Sequence, residues 1–255
     1  MDTTRIPASS RRIHVAVGLV LPLALIAACG SGENGAVESP ASVPRTESAS
    51  SALSAAQLDK LSLTAGDVKG FTVRELDETE AFTQHDVRTD EADCAPVSQA
   101  MYDVALGDPA ATAQRRMDSE LDDRAIDAAE TSEELDAAFT VIHTTVTLAS
   151  YDTPSQARAA LDSLRGSIAT CEGGFSSIGT GERVEADTAP DAGDEAVAFA
   201  VESSDDGDLS GSTRAVVFRE GGLVVQVSAV NDDAKSTDDW DFPTVLVETQ
   251  DAKLD

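Results

Sequence analysis

Hydrophobic residues are distributed along the chain in three regimes. An apolar run fills residues 13–28, a stretch almost without large apolar side chains covers 31–52, and from Leu53 onward apolar positions recur with secondary-structure periods. In the last regime a short helix is expected over Ala55–Leu61, then turn chemistry at Thr64–Asp67 and Lys69–Gly70, and a strand over Phe71–Leu76. After an acidic loop, Cys94 and Pro96 open a helix predicted to run through Leu106, with Val97, Met101, Val104 and Ala105 at helical spacing and Gly107-Asp108-Pro109 as its stop. Residues 110–135 carry no clear period; a strand near Gln114–Glu120 and a following loop or short helix are the expectation.

The pattern sharpens after that. Phe139–Leu148 reads as a strand rich in Thr, Val and Ile, with Ile142, Val146 and Leu148 on one face. Thr153 is a candidate N-cap and Pro154 a first helical residue, and the stripe Ala157, Ala160, Leu161, Leu164, Ile168, Cys171 predicts a helix that Gly173 and Gly174 end. Three more strands are expected: one around Val197–Val201, then Arg214–Arg219 and Leu223–Val230 flanking the hairpin signal Glu220-Gly221-Gly222. On the last strand Leu223, Val225, Val227 and Ala229 share one face, and Gln226 and Ser228 the other. Trp240–Leu254 reads as a final helix. Strands joined by short connections predict an α+β fold, an antiparallel sheet covered on one face by helices.

The first regime changes the setting of all the rest. Arg5, Arg11 and Arg12 precede the apolar run, which ends in Ile26-Ala27-Ala28-Cys29 and resembles a bacterial lipobox, an aliphatic residue and two small ones before a cysteine. Residues 1–28 are therefore expected to be a lipoprotein signal peptide, and Cys29 the acylated first residue of the mature chain, its thiol taking a diacylglycerol (palmitate-type chains) as a thioether. Interrupted by Pro22, the run falls short of the roughly 20 residues needed to span a bilayer. Residues 29–52 read as a flexible tether, too polar and too rich in Ser, Gly and Pro to fold, and residues 53–255 as one globular domain.

Loss of residues 1–28 would reduce the charged side chains from 18 basic and 47 acidic to 15 and 46, a formal charge of −31. Such a chain is no nucleic-acid binder, since phosphate contacts need clustered Lys and Arg, and it is repelled by an anionic bilayer surface. Membrane attachment is left to the covalent lipid, and like-charge repulsion favours a monomer. With Cys29 acylated, Cys94 and Cys171 remain as one pair in an oxidising compartment, and a disulfide between them is expected; the other reading is two buried thiols. In the chain-entropy picture a loop of that length makes the bond worth up to roughly 4 to 5 kcal/mol.

Motifs of catalytic chemistry are missing. The sequence has no Gly-x-Ser-x-Gly, Ser-x-x-Lys, His-Glu-x-x-His or Gly-x-x-x-x-Gly-Lys, so no enzyme activity and no cofactor is expected. His85 in an acidic loop and His143 in a strand are read as structural, for want of an oriented partner. Asp205, Asp206 and Asp208 around Gly207 do not follow the spacing of a calcium loop and read as a hairpin tip, and too few His and Cys remain for zinc.

The order of signals resembles one known family. The lipobox and tether, the aspartate-and-glycine turn within Leu61–Gly70, a Cys in the first half, Tyr151-Asp152-Thr153-Pro154 before an Ala-rich helix ending in Cys171, the Val216–Gly222 hairpin and a C-terminal helix near Ala252-Lys253-Leu254 together look like the PknH-like extracellular sensor domain. The likeness implies a twisted antiparallel sheet with helices packed around a cleft, and a non-enzymatic role at the extracytoplasmic face of the cell membrane, binding an unknown envelope ligand. The alternative is a structural or protein-interaction envelope lipoprotein without a small-molecule site. The chain departs from the family in having one candidate disulfide where the kinase domains carry two, and in Ile168, where an aromatic residue is expected.

Acylation has a direct consequence. Cys29→Ala should leave the chain unprocessed or release it into the medium, as read by membrane fractionation and intact mass; a processed form that stays on the membrane would contradict the thioether.

Overall fold

The structure, a computed structural model, describes residues 52–77, 79–205, 208–234 and 236–254. Cys29, the signal-peptide stretch and nearly all of the tether lie outside the described residues. The framework is an eight-stranded antiparallel sheet, not closed into a barrel, in the order β1-β2-β3-β8-β7-β6-β5-β4. Its strands are β1 (Phe71–Glu75), β2 (Ala111–Ser119), β3 (His143–Ser150), β4 (Phe175–Ser177), β5 (Thr180–Asp187), β6 (Glu195–Asp205), β7 (Asp208–Glu220) and β8 (Leu223–Asn231). Among the described residues six helices accompany it: α1 (Ala55–Leu61), α2 (Ala95–Met101), α3 (Asp123–Ala128), α4 (Ser132–Phe139), α5 (Pro154–Cys171) and α6 (Thr244–Ala252). The α+β class expected from the sequence is found.

Helices cover both faces, not one as the short strand connections predict. On one face α2 and α5 pack over Ala149, Val184, Val197, Phe199, Val201, Ala215, Val217 and Val224; on the other, Leu58 of α1 and Leu246 and Val247 of α6 meet Val146, Leu148, Val216, Phe218, Val225 and Val227. Burial of side chains such as Leu161, Leu164 and Phe199 contributes roughly 2 kcal/mol each. Gln226 and Ser228, on the other face of β8 from its valines, are 1% and 2% exposed.

Local signals explain the element ends. At α5, Thr153 and Gln156 form a reciprocal capping box with Pro154 in the first turn, and Gly174 at φ 90 closes the far end, its N–H donating to the Cys171 carbonyl at 2.9 Å. The helix predicted through Leu106 stops at Met101. Asp103 takes the left-handed conformation (φ 61), and the Val104 N–H turns back to the Gln99 carbonyl at 2.8 Å, a Schellman-type end with aspartate where glycine is usual. Val104 and Leu106 are nevertheless buried, so the period forecast burial but not the helix.

Elsewhere, α4 occupies the start of the strand expected from Phe139. Its capping box, Thr131 with Glu134, was present in the sequence and outweighs the Thr/Val/Ile content that follows. The C-terminal helix begins at Thr244 rather than Trp240, because Pro243 disfavours helical geometry at Phe242. Strands β4 and β5 were not expected: they lie at a sheet edge, where Arg183, Glu185 and Asp187 face outward and little apolar content remains.

Cys94 and Cys171 are joined, with Cα atoms 5.9 Å apart, and the bond fastens the start of α2 to the end of α5. At the opposite end of the sheet Arg219, nearly buried, is paired with Asp194 at 2.7 Å and Glu195 at 2.8 Å. Gly193 makes that crossing possible. It sits at φ 55, and a Cβ there would lie 2.4 Å from the Arg219 carbonyl oxygen.

Gly193→Ala should therefore destabilise the domain by at least about 2 kcal/mol, strain and clash together. Gly70, at φ 79 with nothing within 4 Å of where a Cβ would sit, should lose only about 1 kcal/mol as Gly70→Ala. Urea unfolding midpoints of the two variants would show the difference; equal losses would mean that the close approach at Gly193 is not made.

Candidate functional site

Because α2 is short, it leaves the lower part of its sheet face uncovered, and a cleft of about 420 Å³ lies there. Arg74 of β1, Arg116 of β2, Ser203 of β6, Gly211 and Thr213 of β7 and Val230 of β8 line its floor. The roof is built by Met101, Tyr102 and Asp103 after α2, and by Leu76, Glu80 and Phe82 from the segment following β1. That segment leaves one edge strand and reaches the other: Ile178 N–H donates to the Arg88 carbonyl at 2.9 Å, and Asp90 N–H to the Ser176 carbonyl at 3.1 Å, beside β4. On the way it is fixed by Arg74, which donates to both carboxylate oxygens of Glu80 at 2.6 and 2.9 Å, and by the Phe82 ring 5.2 Å from that of Tyr102.

The turn that carries Asp103 is held by side chains of the sheet. Gln114 Nε2 and Thr147 Oγ1 donate to the Asp103 carbonyl at 2.7 and 3.1 Å, Gln226 Nε2 donates to the Val104 carbonyl at 3.1 Å and its Oε1 accepts from Leu106 N–H at 3.3 Å, and Ser228 Oγ donates to the Met101 carbonyl at 3.4 Å. The Tyr151 hydroxyl donates to the Leu106 carbonyl. The polar row on the sheet thus satisfies a buried, non-helical backbone.

Two carboxyl groups in this region are moved far from their usual range. Burial pushes Asp103 up to about 7, against the hydroxyl of Thr145, the charge of Arg116 and the hydroxyl of Ser228. Burial likewise raises Glu182 on β5 to about 7, opposed only by Ser203, whose hydroxyl donates to Oε2 at 2.6 Å, while Oε1 is enclosed without a partner among the described residues. Burial and the nearby Glu182 also raise the Tyr102 phenol. Arg116 donates through Nε to Asp118 at 3.1 Å, and among the described residues no ion pair joins it to Asp103. The cleft therefore presents a guanidinium, a readily protonated acid, hydroxyls and an aromatic edge, a set suited to holding a small polar molecule by several directed hydrogen bonds.

His143 has a partner that the sequence did not disclose: its Nδ1 lies 2.7 Å from Asp118 Oδ1. His85 is exposed. Asp205 and Asp208 pair at the end of the β6–β7 hairpin, and residues 206–207 lie outside the described residues. Among the described residues no group of three His, Cys, Asp or Glu side chains is placed to hold a metal ion, and no helix is long and apolar enough to cross a membrane. None of the cleft groups was singled out from sequence. Asp103 falls inside the stripe that predicts a helix through Leu106, which hides its left-handed turn, and Arg74 and Arg116 come together only through the pairing of β1 with β2.

No protein-family model matches the chain, and no curated protein matches it. Among solved structures, the chain is similar to the extracellular domain of PknH from Mycobacterium tuberculosis, at 11% identity and a TM-score of 0.43, over 80% of this chain and 95% of that one.

The raised carboxyls make stability depend on pH in a defined direction. A folded-state value of about 7 for Asp103 and Glu182, above the ordinary carboxyl range near 4, means that the folded protein keeps protons which the unfolded chain has released. Stability should fall as pH rises from about 4.5 to about 7 and level off above, with each group contributing on the order of 3 kcal/mol at most. Asp67, held down at about 2 chiefly by the hydrogen bond from Lys253, acts below that window. Urea unfolding at pH 5 and pH 7.5 should show the decline in the native chain and much less of it in the Asp103→Asn/Glu182→Gln variant; an undiminished decline would place the titration elsewhere.

Proposed function

We propose that this protein is a lipid-anchored, extracytoplasmic binding domain of the sensor type, without enzymatic activity, that captures a small polar component of the cell envelope in the cleft between the sheet and the turn after α2. The observation that carries the reading is the cleft itself: its volume of about 420 Å³ is in the range of small-molecule sites, and polar groups converge on it from five strands. Anchoring through Cys29, the tether and the PknH-like character follow from the sequence signals, and the Cys94–Cys171 bond suits an oxidising compartment. Arg116 and Asp103 are the groups that would orient a ligand, one donating and the other, when protonated, donating and otherwise accepting.

A thermal-shift screen of the full chain in detergent against small polar envelope compounds, sugars and peptides among them, tests the site. At least one compound should raise the melting temperature of the native chain, and Arg116→Met should abolish the shift while leaving the unliganded melting temperature within a few degrees. A shift that survives both Arg116→Met and Asp103→Asn would move the site elsewhere, and a screen in which nothing binds would favour the protein-interaction reading.

A further inference from the structure

Between β2 and β3 the chain leaves the sheet for a pair of helices, α3 and α4, whose main contacts are with each other. No residue of α3 and no described side chain of α4 is buried. Leu121, Leu135 and Phe139 are 45%, 37% and 52% exposed, three of the six exposed large hydrophobic residues among those described. Leu135 and Phe139 stand one turn apart on α4, and Leu121 immediately precedes the Asp122 cap of α3, the position that supplies a hydrophobic staple. Helices of 6 and 8 residues are marginal without a packed face, yet both are carefully capped, by Asp122 and by the Thr131–Glu134 box. A capped, amphipathic pair with no core of its own has its apolar side ready for another molecule.

Charge narrows the occupant. Residues 120–139 contain eight acidic side chains and one basic one, Arg124. A second copy of so acidic a chain and an anionic bilayer are both repelled, whereas a cationic surface is drawn in. We propose that the α3–α4 pair is a docking arm for a basic amphipathic helix of a partner protein, its apolar side meeting Leu135 and Phe139 and its Lys or Arg side chains meeting the carboxylates around them. The arm and the cleft make independent demands, and either can stand without the other.

The test is fluorescence anisotropy of a labelled short Lys/Leu amphipathic peptide titrated with the full chain in a zwitterionic detergent, beside a peptide of the same composition scrambled so that it has no apolar face. The native chain should bind the amphipathic peptide at least about tenfold more tightly than the scrambled one, and Leu135→Gln/Phe139→Gln should remove that preference. Gln keeps helix propensity and changes no charge, and the replaced side chains are exposed, so the variant should keep its melting temperature. Val245→Gln, at an exposed apolar residue of α6, should bind like the native chain. Equal binding of the two peptides, or an undiminished preference in the double variant, would reduce the arm to one part of a generally acidic surface and overturn the proposal. Self-association of the native chain that the double variant abolishes would overturn it as well, in favour of a second copy.

Discussion

The fold depends on a polar contact between side chains of the sheet and a short piece of backbone. From the end of α2 at Met101, residues 102–106 run between sheet and helices without being a helix or a strand, and the carbonyl and amide groups of this stretch would each cost on the order of 1–3 kcal/mol if left buried and unpaired. Gln114, Thr147, Gln226, Ser228 and Tyr151 supply the partners. They do so only because β2, β3 and β8 are adjacent and in a register that puts Gln114 opposite Thr147, and Thr147 opposite Gln226. Where Asp103 sits, and hence the roof of the cleft, is set by this contact.

The disulfide works with it from the other side. Fastened to α5, whose long buried stripe lies across the sheet, α2 cannot slide along the face to cover the exposed strand ends. The helix is then stopped by the turn at Asp103 before it would reach them. An uncovered area on an otherwise enclosed sheet is thus the product of two fixed ends, a covalent one at Cys94 and a hydrogen-bonded one after Met101.

Much of this framework was legible in the sequence and some was not, for identifiable reasons. Helix α5 carried a cap, a proline, a stripe and a glycine stop that agree with one another, and α1, β7 and β8 were similarly marked. Gln226 and Ser228 fall together on one face of β8 by alternation, but only the tertiary structure shows that they are bonded to a neighbouring loop. The end of α2 misled because Val104 and Leu106 continue to be buried after the helix has stopped. Strand β5 offered one large apolar residue, Val184, in a charged segment, too little to separate an edge strand from a loop. The cleft residues come from β1, β2, β5 to β8 and two loops, and no local pattern announces such an assembly.

The strand order has a bearing on how the chain reaches its folded state. Strands β1 to β3 form one meander and β4 to β8 another, and the sheet is continuous between them through the pairing of β3 with β8, from Ser150 opposite Leu223 to His143 opposite Val230. Until β8 has been made, the inner edge of β3 has no neighbour, so the sheet cannot be completed while the C-terminal quarter is still missing. Contacts so distant in sequence form slowly. A chain built this way stays unfinished through most of its synthesis, which is the condition a polypeptide must keep in order to be threaded across a membrane before it folds.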